Sequence, residues 1–296
     1  MKILRDVAAV RAELHDAGRV GLVPTMGAFH EGHLSLFRAA RNSCDTVVAW
    51  LFVNPLQFNE AADLTGYPRD EQRDARLAAE CGVDILFAPE VSEVYPDGFA
   101  TTITVTGIAD TLEGAHRPGH FAGVATVVAK MLNMVSPQVA FFGAKDAQQV
   151  AVVRRMVADL NLTTEIAVAP IVREPDGLAM SSRNVRLDPS QRRRATALYR
   201  GLSTAKAAVA AGERNAQAAI AAVSAALAHD GIEAEYIAVV DPVSFEPITH
   251  IDQPALITLA ARVGTVRLID NMEVAPDDEN AEEQDRKSTR LNSSHT

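Results

Sequence analysis

The first 175 residues switch repeatedly between two periods, and this constrains the fold more than any other feature of the chain. VGLVPT (20–25), TVVAWLFV (46–53), VDILFA (83–88), VAFFGA (139–144) and EIAVAPIV (165–172) are short, apolar and rich in Val, Ile and Phe. Few polar residues interrupt them, which is the pattern of strands buried on both faces. Between them lie runs with helical spacing: HLSLFRAARNS (33–43), RDEQRDARLAAECG (69–82), GVATVVAKMLNMVS (123–136) and DAQQVAVVRRMVADLN (146–161). Strands that alternate with helices are joined by crossovers, so a parallel sheet covered on both sides is expected. The fold class is therefore α/β, a Rossmann-like doubly wound parallel sheet. TTITVTG (101–107) alternates strictly and is expected to form an extra edge strand.

After Asp176-Gly177 the character changes. Asp188, Pro189 and Gln191 stand at N-cap, N1 and N3 of a capping box. An alanine-rich helix should run from there to about Gly212, and a second over about 215–229. IEAEYIAVVD, ALITLAARV and TVRLIDNMEV follow as strands, giving a smaller C-terminal α+β domain. The expected units are residues 1–175, residues 176–275 and a disordered tail, 276–296. The tail is acidic and then polar, too poor in apolar residues to pack. Its residues 285–295, DRKSTRLNSSH, match one translated frame of a common sequencing adapter and are expected to be a read-through artefact.

Composition narrows the function. The chain of 296 residues is 48% hydrophobic, enough for a sizeable core, yet no apolar run reaches the ~18 residues of a membrane span. The N-terminus carries charges throughout and no h-region, so no secretion signal is expected. Cys44 and Cys81 form no C-x-x-C, which points to a reduced, cytoplasmic setting. A net charge of −10 argues against nucleic acid as partner, while leaving room for a local basic pocket that takes a small anion.

The residues able to do chemistry fall where strands should end. VPTMGAFHEGHLSL (23–36) passes from a buried strand through a turn into a helix. A helix N-terminus offers unpaired N–H groups and a positive dipole end, both favourable to phosphate. Gly27 and Gly32 admit close approach of backbone. His30 and His33, one turn apart, can address the same anion. Together they suit a triphosphate; the competing explanation is that the imidazoles only cap or pack. FFGAKDAQQ (141–149) repeats the arrangement, with Lys145 for phosphate, Asp146 for an N-cap or a ribose, and Gln149 for a carboxylate or hydroxyl. A capped helix with solvated side chains explains that segment as well. In GLAMSSRN (177–184), Ser181, Ser182 and Arg183 make a flexible anion clamp at the domain junction. FVNPLQFN (52–59) brings the amides Asn54 and Gln57, and AHRPGHFAGV (115–124), with His116, Arg117 and His120, is a lid or a wall. Asp74 either supports the site or belongs to a solvated helix face. H-E-G-H lacks zincin spacing, and no metal ligand is assigned.

Taken together, PTMGAFHEGH, FVNPLQF, YPRD, RPGHFAGVATVV, FFGAKDAQQ and REPDGLAMSSRN resemble the pantothenate synthetase (pantoate–β-alanine ligase) family, in order from about residue 1 to 275. H-x-G-H alone marks only the wider nucleotidylyltransferase superfamily. The resemblance implies an ATP-dependent ligase that works with Mg²⁺ through a pantoyl adenylate, releasing pyrophosphate and then AMP as β-alanine becomes amide-linked. It implies an ATP site made of Met26, Gly27, Ala28, Phe29, His30, Glu31, Gly32 and His33; of Gly143, Ala144, Lys145 and Asp146; and of Val172, Met180, Ser181, Ser182 and Arg183. His33 matches the proton donor and His30 its phosphate-binding companion. Gln57, Gln149, Asn54 and Arg117 match the pantoate and β-alanine pocket. The family also implies a cytoplasmic homodimer acting on small molecules, with neither nucleic acid nor membrane as partner. In-line adenylyl transfer asks mainly for placement and charge stabilisation, which His30, His33, Lys145 and Arg183 can supply. Two other classes compete: a nucleotidylyltransferase with a different acceptor, and a nucleotide-binding module without activity.

Overall fold

A computed structural model describes residues 1–59 and 64–276. Six strands form the first sheet: β1 (Lys2–Leu4), β2 (Val20–Thr25), β3 (Thr46–Leu51), β4 (Ile85–Phe87), β5 (Val139–Gly143) and β6 (Glu165–Ala169). Their order is β1-β4-β3-β2-β5-β6, and every neighbouring pair is parallel. Alternate residues enter two separate cores. Val23, Val47, Leu86 and Phe141 face one side; Leu22, Val48, Phe87 and Phe142 face the other. That is why the strands read as unbroken apolar runs.

Helices α1 (Val7–Leu14), α2 (Glu31–Ser43), α3 (Glu71–Glu80), α4 (His120–Val135) and α5 (Ala147–Asp159) cover the sheet. Phe37 and Ala40 of α2 and Ala78 of α3 fill one core; Val10 of α1 and most of the apolar residues of α4 and α5 fill the other. Because β2 lies between β3 and β5, the chain leaves it in one direction and resumes on the other side. A crevice therefore opens beyond the carboxyl ends of β2 and β5, where ligands bind in sheets of this kind.

The second sheet is antiparallel, β7 (Glu233–Val240), β8 (Ala255–Val263) and β9 (Val266–Val274), backed by α6 (Thr196–Ala210) and α7 (Ala216–His229). Leu198, Leu202, Val223 and Leu227 pack on Ile257 and Leu259 in a core of their own. The capping box forms as expected: Asp188 accepts from the backbone of Ser190 and Gln191 at 2.8 and 2.9 Å, and Gln191 accepts from Asp188 N at 3.2 Å.

Two expectations change. Residues 101–107 form no strand; Ile103 N donates to Thr126 Oγ1 at 2.9 Å, and Ile103 and Val105 pack into the core beside α4. Their alternation buries side chains against a helix, which satisfies the pattern without a partner strand. The alanine-rich helix breaks at Ala195, between a short helix Pro189–Arg194 and α6. β1 and α1 went unread, since three residues carry too little pattern. The tail from residue 277, adapter-like stretch included, lies outside the described residues.

Candidate active site

The loop after β2 turns sharply, with Gly27 at φ +89° and Ala28 at φ +54°. Asp74 of α3 holds it. This carboxylate is 1% exposed and accepts from Ala28 N at 2.7 Å and Phe29 N at 2.8 Å. Arg73 adds a bond from Nη1 to Phe29 O at 3.1 Å. Asp74 is thus a support of the site and not part of a solvated face. The room left by Gly27 is taken up by the protein: a Cβ there would lie 2.9 Å from Leu51 Cδ1 and 3.1 Å from Asp74 Oδ2.

His30 and His33 open α2 as a reciprocal cap. Gly32 N donates to His30 Nδ1 at 3.2 Å, and His30 N donates to His33 Nδ1 at 3.4 Å. A Cβ on Gly32 would sit 2.8 Å from His30 Cε1, so this glycine makes space for the imidazole. Burial, with Lys145 and Arg73 nearby, pushes His30 down to about 4. Burial, His30 and Lys145 push His33 down to about 3. Both rings are therefore neutral at pH 7. With each Nδ1 accepting, the network assigns the hydrogen to each Nε2, giving two N–H donors.

At the end of β5, residues Ala144–Asp146 make a 3-10 turn that runs into α5. Asp146 occupies the N-cap position of α5 without a capping hydrogen bond. Opposite, Met180 N donates to Val172 O at 3.0 Å, tying together two segments of the expected nucleotide wall. The expected anion clamp is an ordered 3-10 turn, Ser182–Arg186, opened by Ser181 Oγ accepting from Arg183 N at 3.2 Å.

The amide cluster sits on the other side of β2. Asn54 is 1% exposed; its Oδ1 accepts from Tyr95 Oη at 2.7 Å, and its Nδ2 donates to Gly123 O and to Gln57 Oε1, both at 3.1 Å. Among the described residues, Gln57 Nε2 then has only Met26 Sδ, a weak acceptor, at 3.0 Å. The segment 115–124 is a wall. His120 at the start of α4 is buried, and burial and Arg117 hold it at about 4. It donates from Nδ1 to Gln57 O at 2.9 Å and accepts at Nε2 from Arg117 Nη1 at 3.1 Å. Gly123 brings α4 against the Asn54–Gln57 turn, where a Cβ would fall 2.4 Å from Leu56 O.

These pieces border one cavity of about 240 Å³. Met26, His30, Gly32, His33, Asn54, Gln57, Gly143, Lys145, Asp146, Gln149, Val172, Met180, Ser181, Ser182 and Arg183 line it. Gly27, Ala28, Phe29, Glu31 and Ala144 do not: Phe29 is buried against Phe37, and Glu31 pairs with Arg38 in solvent. Arg117 lines an adjoining cavity of about 360 Å³ with Glu113 and Arg267, and the two cavities share Lys145, Asp146, Ser181 and Arg183. The sequence reading missed the apolar part of the wall, Trp50, Phe142, Val124, Val127, Val128 and Met131. The α4 residues repeat at core spacing, and a stripe that borders a cavity has the same spacing as one that borders another helix.

The family model described as pantoate-beta-alanine ligase matches residues 2–273. The chain is 53% identical over 273 residues to a pantothenate synthetase of Roseiflexus sp. (strain RS-1), covering 92% of this chain and 98% of that one. It is 52% identical over 279 residues to a pantothenate synthetase of Acidiphilium cryptum (strain JF-5), covering 93% and 100%. A pantothenate synthetase structure from Thermus thermophilus superposes with a TM-score of 0.90 at 47% identity, covering 93% and 100%. A pantoate-beta-alanine ligase from Francisella tularensis, complexed with beta-gamma ATP and beta-alanine, gives 0.78 at 34% identity, covering 92% and 97%.

Proposed function

The chain belongs to the pantoate–β-alanine ligase family, and on that premise we propose that it condenses pantoate with β-alanine through a pantoyl adenylate. A pantoate carboxylate oxygen attacks the α-phosphorus of ATP, the α–β bridging bond breaks, and pyrophosphate leaves. The β-alanine amine then attacks the acyl carbon, the acyl–O bond to AMP breaks, and the amine proton is released. The observation that carries this reading is one cavity whose wall joins His30, His33, Lys145 and Arg183 to Gln57 and Gln149 beside an apolar surface. The first set matches a triphosphate and the second a small, branched, hydroxylated carboxylate. That a relative was crystallised with an ATP analogue and β-alanine supports the same pairing.

The same reading gives each residue a role. His33 and His30 donate from neutral Nε2–H groups to phosphate oxygens, and Lys145 and Arg183 add fixed positive charge as the bridging bond breaks. Gln57 exchanges its weak bond to Met26 for the pantoate carboxylate or hydroxyl, held in place by Asn54. Gln149 completes that pocket, and Arg117, on the adjoining wall, suits the β-alanine carboxylate. Met26 to His33, Gly143 to Asp146, Val172 and Met180 to Arg183 form the nucleotide wall. Among the described residues no three His, Cys, Asp or Glu side chains gather as a metal site. A Mg²⁺ held by the protein alone does not fit this wall; a Mg²⁺ bound to the triphosphate would supply charge neutralisation beside Lys145 and Arg183.

In the same reading, residues 1–175 bind nucleotide and pantoate and residues 176–275 close over them, since the core of the second unit begins at Leu178. Two unpaired cysteines suit a reducing cytoplasm, and the family suggests a homodimer. The test is pyrophosphate release from Mg-ATP with D-pantoate, with and without β-alanine. Release that requires pantoate, with AMP and pantothenate formed only when β-alanine is added, supports the scheme. Folded, ATP-binding protein that releases no pantoate-dependent pyrophosphate rejects it.

A further inference from the structure

β9 carries an Asp-Asn pair, Asp270-Asn271, near its middle, and both residues are almost fully buried, at 1% and 4% exposure. Neither belongs to the cavity wall just described. Buried polar side chains are costly unless every hydrogen bond is made; here Asn271 N donates to Asp270 Oδ1 at 2.8 Å, and the side-chain bonds that leave the pair reach segments bordering the cavity.

Asn271 Nδ2 donates to Ala144 O at 2.9 Å and to Lys145 O at 2.8 Å. These two carbonyls belong to the peptide planes on either side of the Lys145 Cα. Because each peptide unit is planar, fixing both planes fixes the backbone dihedrals of Lys145 and the direction in which its side chain leaves. One amide group therefore uses both of its hydrogens to aim one lysine. Asp270 acts on the opposite wall. Its carboxylate receives a forked pair of bonds from Arg173, at 2.7 and 3.0 Å, and Arg173 also donates to Asn271 O at 3.2 Å. Arg173 follows Val172, whose carbonyl is bonded to Met180 N. Two adjacent residues of the C-terminal sheet thus hold the Lys145 turn and the Val172–Met180 segment at a fixed separation.

We propose that Asn271 is a positioning residue for Lys145, aiming its side chain from the C-terminal sheet. The proposal rests on the nucleotide reading given above. It makes the C-terminal sheet part of the phosphate-binding apparatus in the resting protein.

The test is a double-mutant cycle on Mg-ATP affinity, measured by titration calorimetry with full-length protein and no acceptor substrate. Asn271→Ala should weaken binding about tenfold in the otherwise unchanged chain and less than about twofold when Lys145→Ala is already present. Asn271→Ser keeps one donor, should fall between, and takes the place of Asn271→Ala in the cycle if that variant does not fold. Equal losses in the two backgrounds, or no loss in the first, overturn the proposal while leaving the nucleotide reading intact. An unsubstituted chain that binds no Mg-ATP overturns both.

Discussion

The carboxylate of Asp74 lies 2.7 Å from the amide nitrogen of Ala28, a non-glycine residue held at φ +54°. A left-handed alanine costs about 1–3 kcal/mol in isolation, and two charge-assisted bonds from one buried acid offset it. Asp74→Ala leaves the amides of Ala28 and Phe29 without that acceptor. It should lower stability by roughly 2–4 kcal/mol in urea unfolding and slow pantoate-dependent pyrophosphate release as His30 loses its placement. An unchanged unfolding midpoint would show that the loop is held some other way.

The paired imidazoles give a pH signature. With His30 held at about 4 and His33 at about 3, neither ring gains a proton between pH 5.5 and 8 in the ligand-free protein. Their Cε1–H resonances should stay flat across that range and move only below about pH 5. The unfolded chain takes up those protons near its ordinary value of about 6.5, so this pair costs stability as pH falls below that point. A titration midpoint near 6.5 for either ring would rule out the neutral-donor assignment.

Removing one charge-stabilising group should affect chemistry far more than folding. Lys145→Ala and His33→Ala are each expected to slow pantoyl-adenylate formation at least ~100-fold. Single-turnover measurements with labelled ATP would read this directly, and near-normal formation in either variant removes that residue from the mechanism.

In the proposed scheme, Asn54 serves the acid and not the nucleotide. Its amide is bonded to Gln57 on one side and to Tyr95 and Gly123 on the other. Asn54→Ala should raise the pantoate KM about 10- to 100-fold, the scale of one or two lost buried hydrogen bonds, with ATP affinity within about twofold. Equal losses for both substrates would mean that the substitution had disturbed the whole crevice.

Glu113, which opens the short helix Glu113–His116, ties that helix to the antiparallel sheet, accepting from Arg267 at 2.6 and 2.9 Å and from Tyr236 Oη at 2.9 Å. Burial alone would raise its carboxyl group, but Arg267 outweighs burial and holds it below the usual range. The pair therefore stabilises the fold above the unfolded carboxylate value of about 4.5, and the contribution is lost as pH falls through the lower folded value. Glu113→Gln should cost up to about 3 kcal/mol at pH 7 and progressively less toward pH 3. A pH-independent difference in urea midpoints would contradict this origin.

The sheet and the strand-end positions of His30, His33, Lys145 and Gln57 were legible because a doubly wound sheet must bury its strands and must open at their carboxyl ends. What held those residues in place was harder to read. Asp74 sits in a charged helix face and gives no local sign that it is buried. Asn271 is separated from Lys145 by more than a hundred residues, and only the folded contact gives it meaning. Residues 101–107 misled for a related reason: alternation records which side chains are buried, without recording what covers them.

The seat of α4 on the Asn54–Gln57 turn bears on substrate scope. With only 2.4 Å available to a Cβ at Gly123, helix and turn meet backbone to backbone, and no side chain there can be trimmed to admit a bulkier acid. Farther along the helix, Val127 and Met131 border the same cavity as Gln57 with side chains that can be shortened. Redesign toward larger hydroxy acids should trim those side chains and keep Gly123, because enlarging the pocket at the turn would displace the amides proposed to take the acid.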